Sequence, residues 1–213
     1  MEKKTIRAIE LVNFIICFFI AVIIAFLIRY FIGEIIEVQH VSMMPTLSSG
    51  DRAWISKIGK TFNKIPKRGD IITFEAPTIK EKKTVEKTSD IAKYEEKNLN
   101  IFQKFKYYAL EIGKTSYIKR VIGLPGEKIK INNGNIYING KKLDESSYLN
   151  SNVKTDTKIF ELSEVQIPDD CIFVLGDNRE ESADSRYFGC IPINKIEGKV
   201  IIRIWPFSKF GKI

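Results

Sequence analysis

Histidine and cysteine, the residues on which most metal and triad sites rely, are scarce in this chain. Of 213 residues one is a histidine, His40, and three are cysteines. Cys17 falls in an apolar run, and Cys171 and Cys190 show neither CxxC nor metal-ligand spacing, so no thiolate metal site is read here. A bridge between Cys171 and Cys190 stays open if both lie outside the cell. Their apolar, strand-like contexts, "CIFVLG" and "CIPI", favour two buried thiols. No internal repeat stands out, and the main apolar run, ending in "FLIRY", offers no small-x-small site. That absence argues against a cleavable leader.

The run itself spans Leu11 to Ile28, "LVNFIICFFIAVIIAFLI", without a charge. At 1.5 Å per residue about 18 helical residues cover roughly 27 Å, close to one hydrocarbon core. It reads as a permanent anchor, with residues 1–10 as a short N-terminal tail and 29–213 as the exterior part. Lys3, Lys4 and Arg7 precede the anchor, so the positive-inside tendency puts the tail in the cytoplasm. The formal charge is +8. Behind a membrane anchor such a surplus points to anionic lipid headgroups rather than nucleic acid, and a solvated Lys-rich surface fits it equally well.

Beyond the anchor the pattern is mainly β, with short and closely spaced strands. "EIIEVQHVS", "DRAWISK" and "GDIITFEAP" read as strands, because apolar residues recur with period two. "YIKRVIGLPGEKIKI" reads as strand, turn and strand, and "CIFVLGDN" and "GKVIIRIWPF" as the last strands. Asn133-Gly134 and Asn139-Gly140 are hairpin punctuation. Residues 78–115 break the pattern as a Lys/Glu-rich insertion that turns helical. Ile101, Phe102, Phe105, Tyr108, Ala109 and Ile112 keep helical spacing there. The ordinary expectation is a flap packed on its own domain; the alternative is a basic amphipathic helix on the membrane surface.

Three stretches carry chemistry. In "QHVSMMPTL" Ser42 stands at a strand end beside His40, and period two puts Ile36, Val38 and His40 on its face. His40 fits the base role poorly. On one strand the two Cβ atoms stand about 6–7 Å apart with parallel side chains, whereas a base needs contact at roughly 2.6–3.2 Å. Lys119 in "SYIKRVIGLPGE" is the better candidate. Flanked this way, a surface lysine is usually a solvated edge residue; if it is desolvated against its apolar neighbours, its neutral amine becomes available near neutral pH. The polar loop "GDNREESADSRYFGCIP" adds Asp184 and Arg186, which can pair, and Ser182, which can orient an amine.

In order, "VSMMPTLSSGD", "RGDIITF", "YIKRVIGLPGE" and "GDNREESADSRYFGCIP" resemble the sequence boxes of bacterial type I signal peptidases. The resemblance covers most of the chain outside Thr78–Thr115. It implies a mainly β, coiled β-barrel-like catalytic domain that cuts signal peptides from secretory preproteins on the outer membrane face. Such an enzyme needs no metal or cofactor, and it works beside membrane lipid with the export translocase as a neighbour. Carried over residue by residue, Ser42 is the nucleophile, Lys119 the general base, and Ser182 the serine that positions the lysine. Asp184 and Arg186 brace the active-site loop. Ile36, Val38, Met43 and Ile118 line shallow pockets suited to Ala-x-Ala sites. His40 departs from the family, which carries glycine or serine there. A serine at that position donates to the oxyanion hole, so here the imidazole, a water or the Ser42 N–H alone must serve. Self-cleaving repressor-type proteases share the Ser/Lys logic but have no anchor, and scaffold relatives lack the nucleophile or the lysine.

Overall fold

A computed structural model describes residues 2–78, 91–150, 152–155 and 164–213. Helix α1, Glu2–Leu27, runs straight into a π-helical turn, Ile28–Ile32, so helical backbone outlasts the expected 11–28 anchor by about a turn. The apolar span itself covers Ile9–Ile32. Strands β1 (Gly33–Glu37) and β2 (Arg52–Ser56) follow, then a one-turn helix α2 (Ile58–Thr61) and β3 (Ile71–Glu75). A short helix α3 (Ile101–Lys104) precedes β4 (Ser116–Gly123). A meander of β5 (Lys128–Asn132), β6 (Asn135–Ile138) and β7 (Lys141–Lys142) leads to β8 (Val165–Gln166). The chain closes with β9 (Cys171–Leu175), α4 (Ser185–Phe188), β10 (Ile191–Pro192), β11 (Ile196–Trp205) and β12 (Gly211–Lys212).

These strands form two antiparallel sheets. The larger has the order β1-β2-β11-β3-β4-β9-β10, with β12 on β11; the smaller has the order β7-β6-β5-β8. Two register shifts interrupt β11 against β2, and such bulges let a sheet coil. The Asn-Gly signals hold: Asn133, Gly134, Asn139 and Gly140 all have positive φ, as tight hairpin turns require. Three apolar clusters form the core. One joins the small sheet to β9 through Ile129, Ile136 and Phe173. A second centres on Phe74, Val121 and Val174, and a third on Met43, Leu47 and Ile55. Cys171 and Cys190 are buried thiols, not a bridge.

Two sequence expectations are corrected here. The first strand stops at Glu37, five residues before its expected end at Ser42. After it Val38 N donates to Asp51 O and Gly50 N donates to Val38 O, and the chain then coils into a 3-10 turn, Val41–Met43. His40 and Ser42 therefore share no strand face. The helical part of the insertion is also less packed than a flap resting on its own domain. It is broken into α3 and a π turn, Phe105–Ala109, with Tyr107 buried and Ile101, Phe102, Phe105, Tyr108 and Ile112 exposed. The insertion's earlier part, 79–90, lies outside the described residues.

Phe74 is fully buried on β3, faces Tyr117 of β4 in register, and meets the Tyr117 and Phe188 rings edge-on at 6.2 Å each. Phe74→Ala is expected to lower unfolding free energy by about 3–5 kcal/mol, measured by chemical denaturation in detergent.

Candidate active site

Ser42 is held by what surrounds its turn. Met43 and Leu47 are fully buried beneath it, so the turn is anchored by apolar burial on one side. Asn178 closes the other side: its N–H donates to Ser42 O at 3.0 Å and its Nδ2 to Val41 O at 3.3 Å. Met44 N donates to Val41 O at 3.0 Å, completing the turn.

Lys119 approaches from β4, paired with Ile72 of β3. Its Nζ lies 2.7 Å from Ser42 Oγ and donates to Ile118 O at 3.0 Å. The side chain is only 4% exposed, and burial pushes its amine down to about 8, against the opposing pull of Asp184 and Asp177. Desolvation penalises the ammonium form, so the pair resembles a base poised beside a hydroxyl. His40 is exposed at the groove rim, and the side chain that reaches Ser42 Oγ is that of Lys119.

The loop after β9 supplies the frame. Arg186 donates through Nε to Asp184 Oδ1 and through Nη2 to Asp184 Oδ2, both at 2.8 Å, and neither side chain is exposed. Asp184 also accepts from Gly176 N at 3.1 Å and from Arg186 N at 3.2 Å, capping α4. The Ser182 hydroxyl is buried and makes no hydrogen bond here, while Lys119 Nζ donates to the Ile118 carbonyl. It lies close all the same. A Cβ on Gly176 would overlap the Ser182 hydroxyl and come 2.5 Å from Ser42 O, so only glycine lets the chain just past β9 run between them.

Sequence reasoning missed a second carboxylate–guanidinium pair. Arg120 donates from Nε and Nη2 to the two Asp177 oxygens at 2.8 and 2.7 Å. Thr46 Oγ1 donates to the same Asp177 at 2.5 Å, and Arg120 Nη1 donates to Gly69 O at 2.8 Å. This pair ties the Ser42 turn to β4 and to the loop. Its signal was present. Alternation turns Arg120 away from the Lys119 face into the core, and a buried guanidinium requires a carboxylate.

A groove of about 330 Å³ opens beside the pair, lined by Ile36, Val38, His40, Met43 and Ile118 together with Ser42 and Lys119. Two strand edges border it. β1 ends its sheet, and β9 joins β4 from Arg120 onward, so among the described residues no strand covers Ser116–Lys119 on that side. An extended peptide can pair with such edges. The far end is ionic: Lys57 pairs with Glu34 and Glu111 at 2.7 and 2.8 Å, and Lys114 with Glu197 at 2.5 Å.

The chain matches the family model described as "Signal peptidase, peptidase S26" over residues 11–205. It is 35% identical over 201 residues to the "Signal peptidase I" of Bacillus caldolyticus, covering 91% of each chain. It is likewise 35% identical to the "Signal peptidase IB" of Staphylococcus aureus, over 94% of this chain and 93% of that one. A "Probable signal peptidase I-2" of Synechocystis is 37% identical, over 90% of this chain and 72% of the relative. A crystal structure of a signal peptidase I from Enterococcus faecalis is 28% identical, covering 64% of this chain and 97% of that one at a TM-score of 0.40. With the family model spanning all four sequence boxes and relatives aligned nearly end to end, the chain belongs to the signal peptidase family, peptidase S26.

Proposed function

We propose that this enzyme is a membrane-anchored serine endopeptidase that removes N-terminal signal peptides from exported preproteins, with Ser42 as nucleophile and Lys119 as general base. The observation that carries the reading is the 2.7 Å approach of a buried lysine amine to the Ser42 hydroxyl. In its neutral form Lys119 takes the Ser42 proton as Oγ attacks the scissile carbonyl. The ammonium so formed gives that proton to the leaving amine, and a water activated by the same lysine then hydrolyses the acyl-enzyme. The Ser42 N–H serves the oxyanion, with His40 near enough along the chain to add a donor.

The substrate's extended segment adds between the open edges of β1 and β4. Ile36, Val38, Met43 and Ile118 leave shallow apolar recesses that suit small side chains of the Ala-x-Ala kind. The N-terminal helix crosses the bilayer over the apolar span Ile9–Ile32, with the residues before it in the cytoplasm, as Lys3, Lys4 and Arg7 favour. The chain after the span then lies on the outer side, beside lipid and the export translocase. Asp184 and Arg186 hold the loop that buries Lys119, and Ser182 packs behind it.

Incubating the detergent-solubilised protein with a preprotein tests the dyad. Ser42→Ala and Lys119→Ala are each expected to lower cleavage by about 10³-fold or more, while His40→Ser retains it; near-normal cleavage by Lys119→Ala refutes the assignment. Gly176→Ala is expected to cost activity strongly, because the added methyl displaces the Ser42 turn. In wild type kcat/KM is expected to rise with pH through about 8, as the Lys119 ammonium loses its proton. The same depressed value has a stability consequence. The unfolded chain binds more protons than the folded one between about pH 8 and the ordinary lysine range, so the cost of burying the ammonium is fully present below pH 8. Lys119→Met is therefore expected to withstand more denaturant than wild type at pH 7, and to lose that advantage as pH rises past the ordinary lysine value.

A further inference from the structure

We propose that the segment Ile101–Ile112 is a second membrane-seated element, lodged at the boundary between headgroups and hydrocarbon beside α1. The inference rests on the reading of α1 as a membrane span. Ile101 and Phe102 are 89% and 74% exposed, and Phe105, Tyr108 and Ile112 are each about half exposed. Soluble surfaces rarely gather large apolar side chains so closely.

The segment is shaped rather than loose. Asn100 and Gln103 form a reciprocal capping box: Gln103 N donates to Asn100 Oδ1 at 2.8 Å and Asn100 N donates to Gln103 Oε1 at 3.0 Å. It is pinned to the catalytic domain from behind. The buried Tyr107 donates to Glu75 Oε1 at 2.9 Å, and Glu111 pairs with Lys57 at 2.8 Å. These ties turn its apolar side chains away from the core.

Depth decides the occupant. The Phe105 ring stands 6.0 Å from the ring of Phe26, and Phe26 lies six residues inside the outer end of the span Ile9–Ile32. At 1.5 Å per residue that is about 9 Å below the end, the depth at which interfacial helices bury their apolar faces. Arg29, on the last turn of the span, reaches back to Glu34 at 2.7 Å and to Glu111 at 3.7 Å, which fixes the segment against the anchor. Lys104 and Lys106 are exposed on the same stretch and suit anionic headgroups. A bilayer that admits Phe26 must therefore also meet Phe105 and its neighbours.

Depth-dependent quenching tests this in the full chain reconstituted into phosphatidylcholine–phosphatidylglycerol vesicles with brominated acyl chains. Tryptophan is placed at Phe102 (Phe102→Trp) or, as a marker of the span, at Phe19 (Phe19→Trp), each in a Trp54→Phe, Trp205→Phe background. Support is blue-shifted Phe102→Trp emission, quenched by shallow bromines and shielded from aqueous iodide, with Phe19→Trp quenched by deep bromines. If Phe19→Trp is quenched while Phe102→Trp stays open to iodide, the proposal fails and the anchor reading stands. If Phe102→Trp is shielded from both quenchers, protein rather than lipid covers it and the proposal fails equally. If Phe19→Trp is not quenched, the anchor reading falls and takes the proposal with it. As a second readout, the triple variant Ile101→Ser, Phe102→Ser, Phe105→Ser is expected to cleave preprotein normally in detergent but several-fold more slowly in vesicles. Equal loss in both settings would assign the segment a structural role instead.

Discussion

A lysine amine buried beside a serine hydroxyl sets the terms for the rest of this structure. Lys119 must be dry enough for its ammonium to be costly, yet two carboxylates, Asp177 and Asp184, stand close enough to pull its proton back on. Each of those carboxylates is held two-pronged by an arginine, Asp177 by Arg120 and Asp184 by Arg186. Their charge is thereby largely answered before it reaches the lysine, and desolvation prevails. The frame looks excessive for a single hydrogen bond until this balance is considered. Remove either guanidinium and a bare buried carboxylate would both destabilise the loop and return Lys119 toward its charged form.

The same frame explains where the groove lies. Lys119 needs cover, and β4 obtains it by pairing with β3 along its first half and with β9 along its second. The first half thus keeps one open edge, next to the amine. Facing it is β1, the open end of the same sheet. The β1 edge is tied to the anchor through Arg29 and Glu34, and to the insertion through Lys57 and Glu111. Groove, apolar N-terminal helix and insertion therefore share one ionic knot at that end of the groove.

Much of this was legible in the residues. Lys119 stood out because an apolar strand surrounds it, and the Asn-Gly pairs marked their hairpins because few other residues tolerate positive φ. The signs failed where a local pattern was overruled from a distance. "EIIEVQHVS" alternates like one long strand, but Asp51 and Gly50 capture Val38, and Asn178, 136 positions past Ser42, secures the turn. The Arg120–Asp177 pair spans 57 positions; alternation announced a buried arginine but not which carboxylate would meet it. Helical periodicity at 101–112 was real, but periodicity cannot say whether an apolar face meets its own core or something else.

By itself, then, the sequence determined the apolar span, the β character, the serine and lysine as candidates, and Asp184 with Arg186 as a pair beside them, because composition and short-range periodicity encode burial and turns directly. The tertiary structure decided the 2.7 Å contact, the depressed basicity of Lys119, the exposed position of His40 and the outward face of Ile101–Ile112. Each of these depends on which distant segments arrive at one point, and desolvation and hydrogen-bond partners exist only once they have.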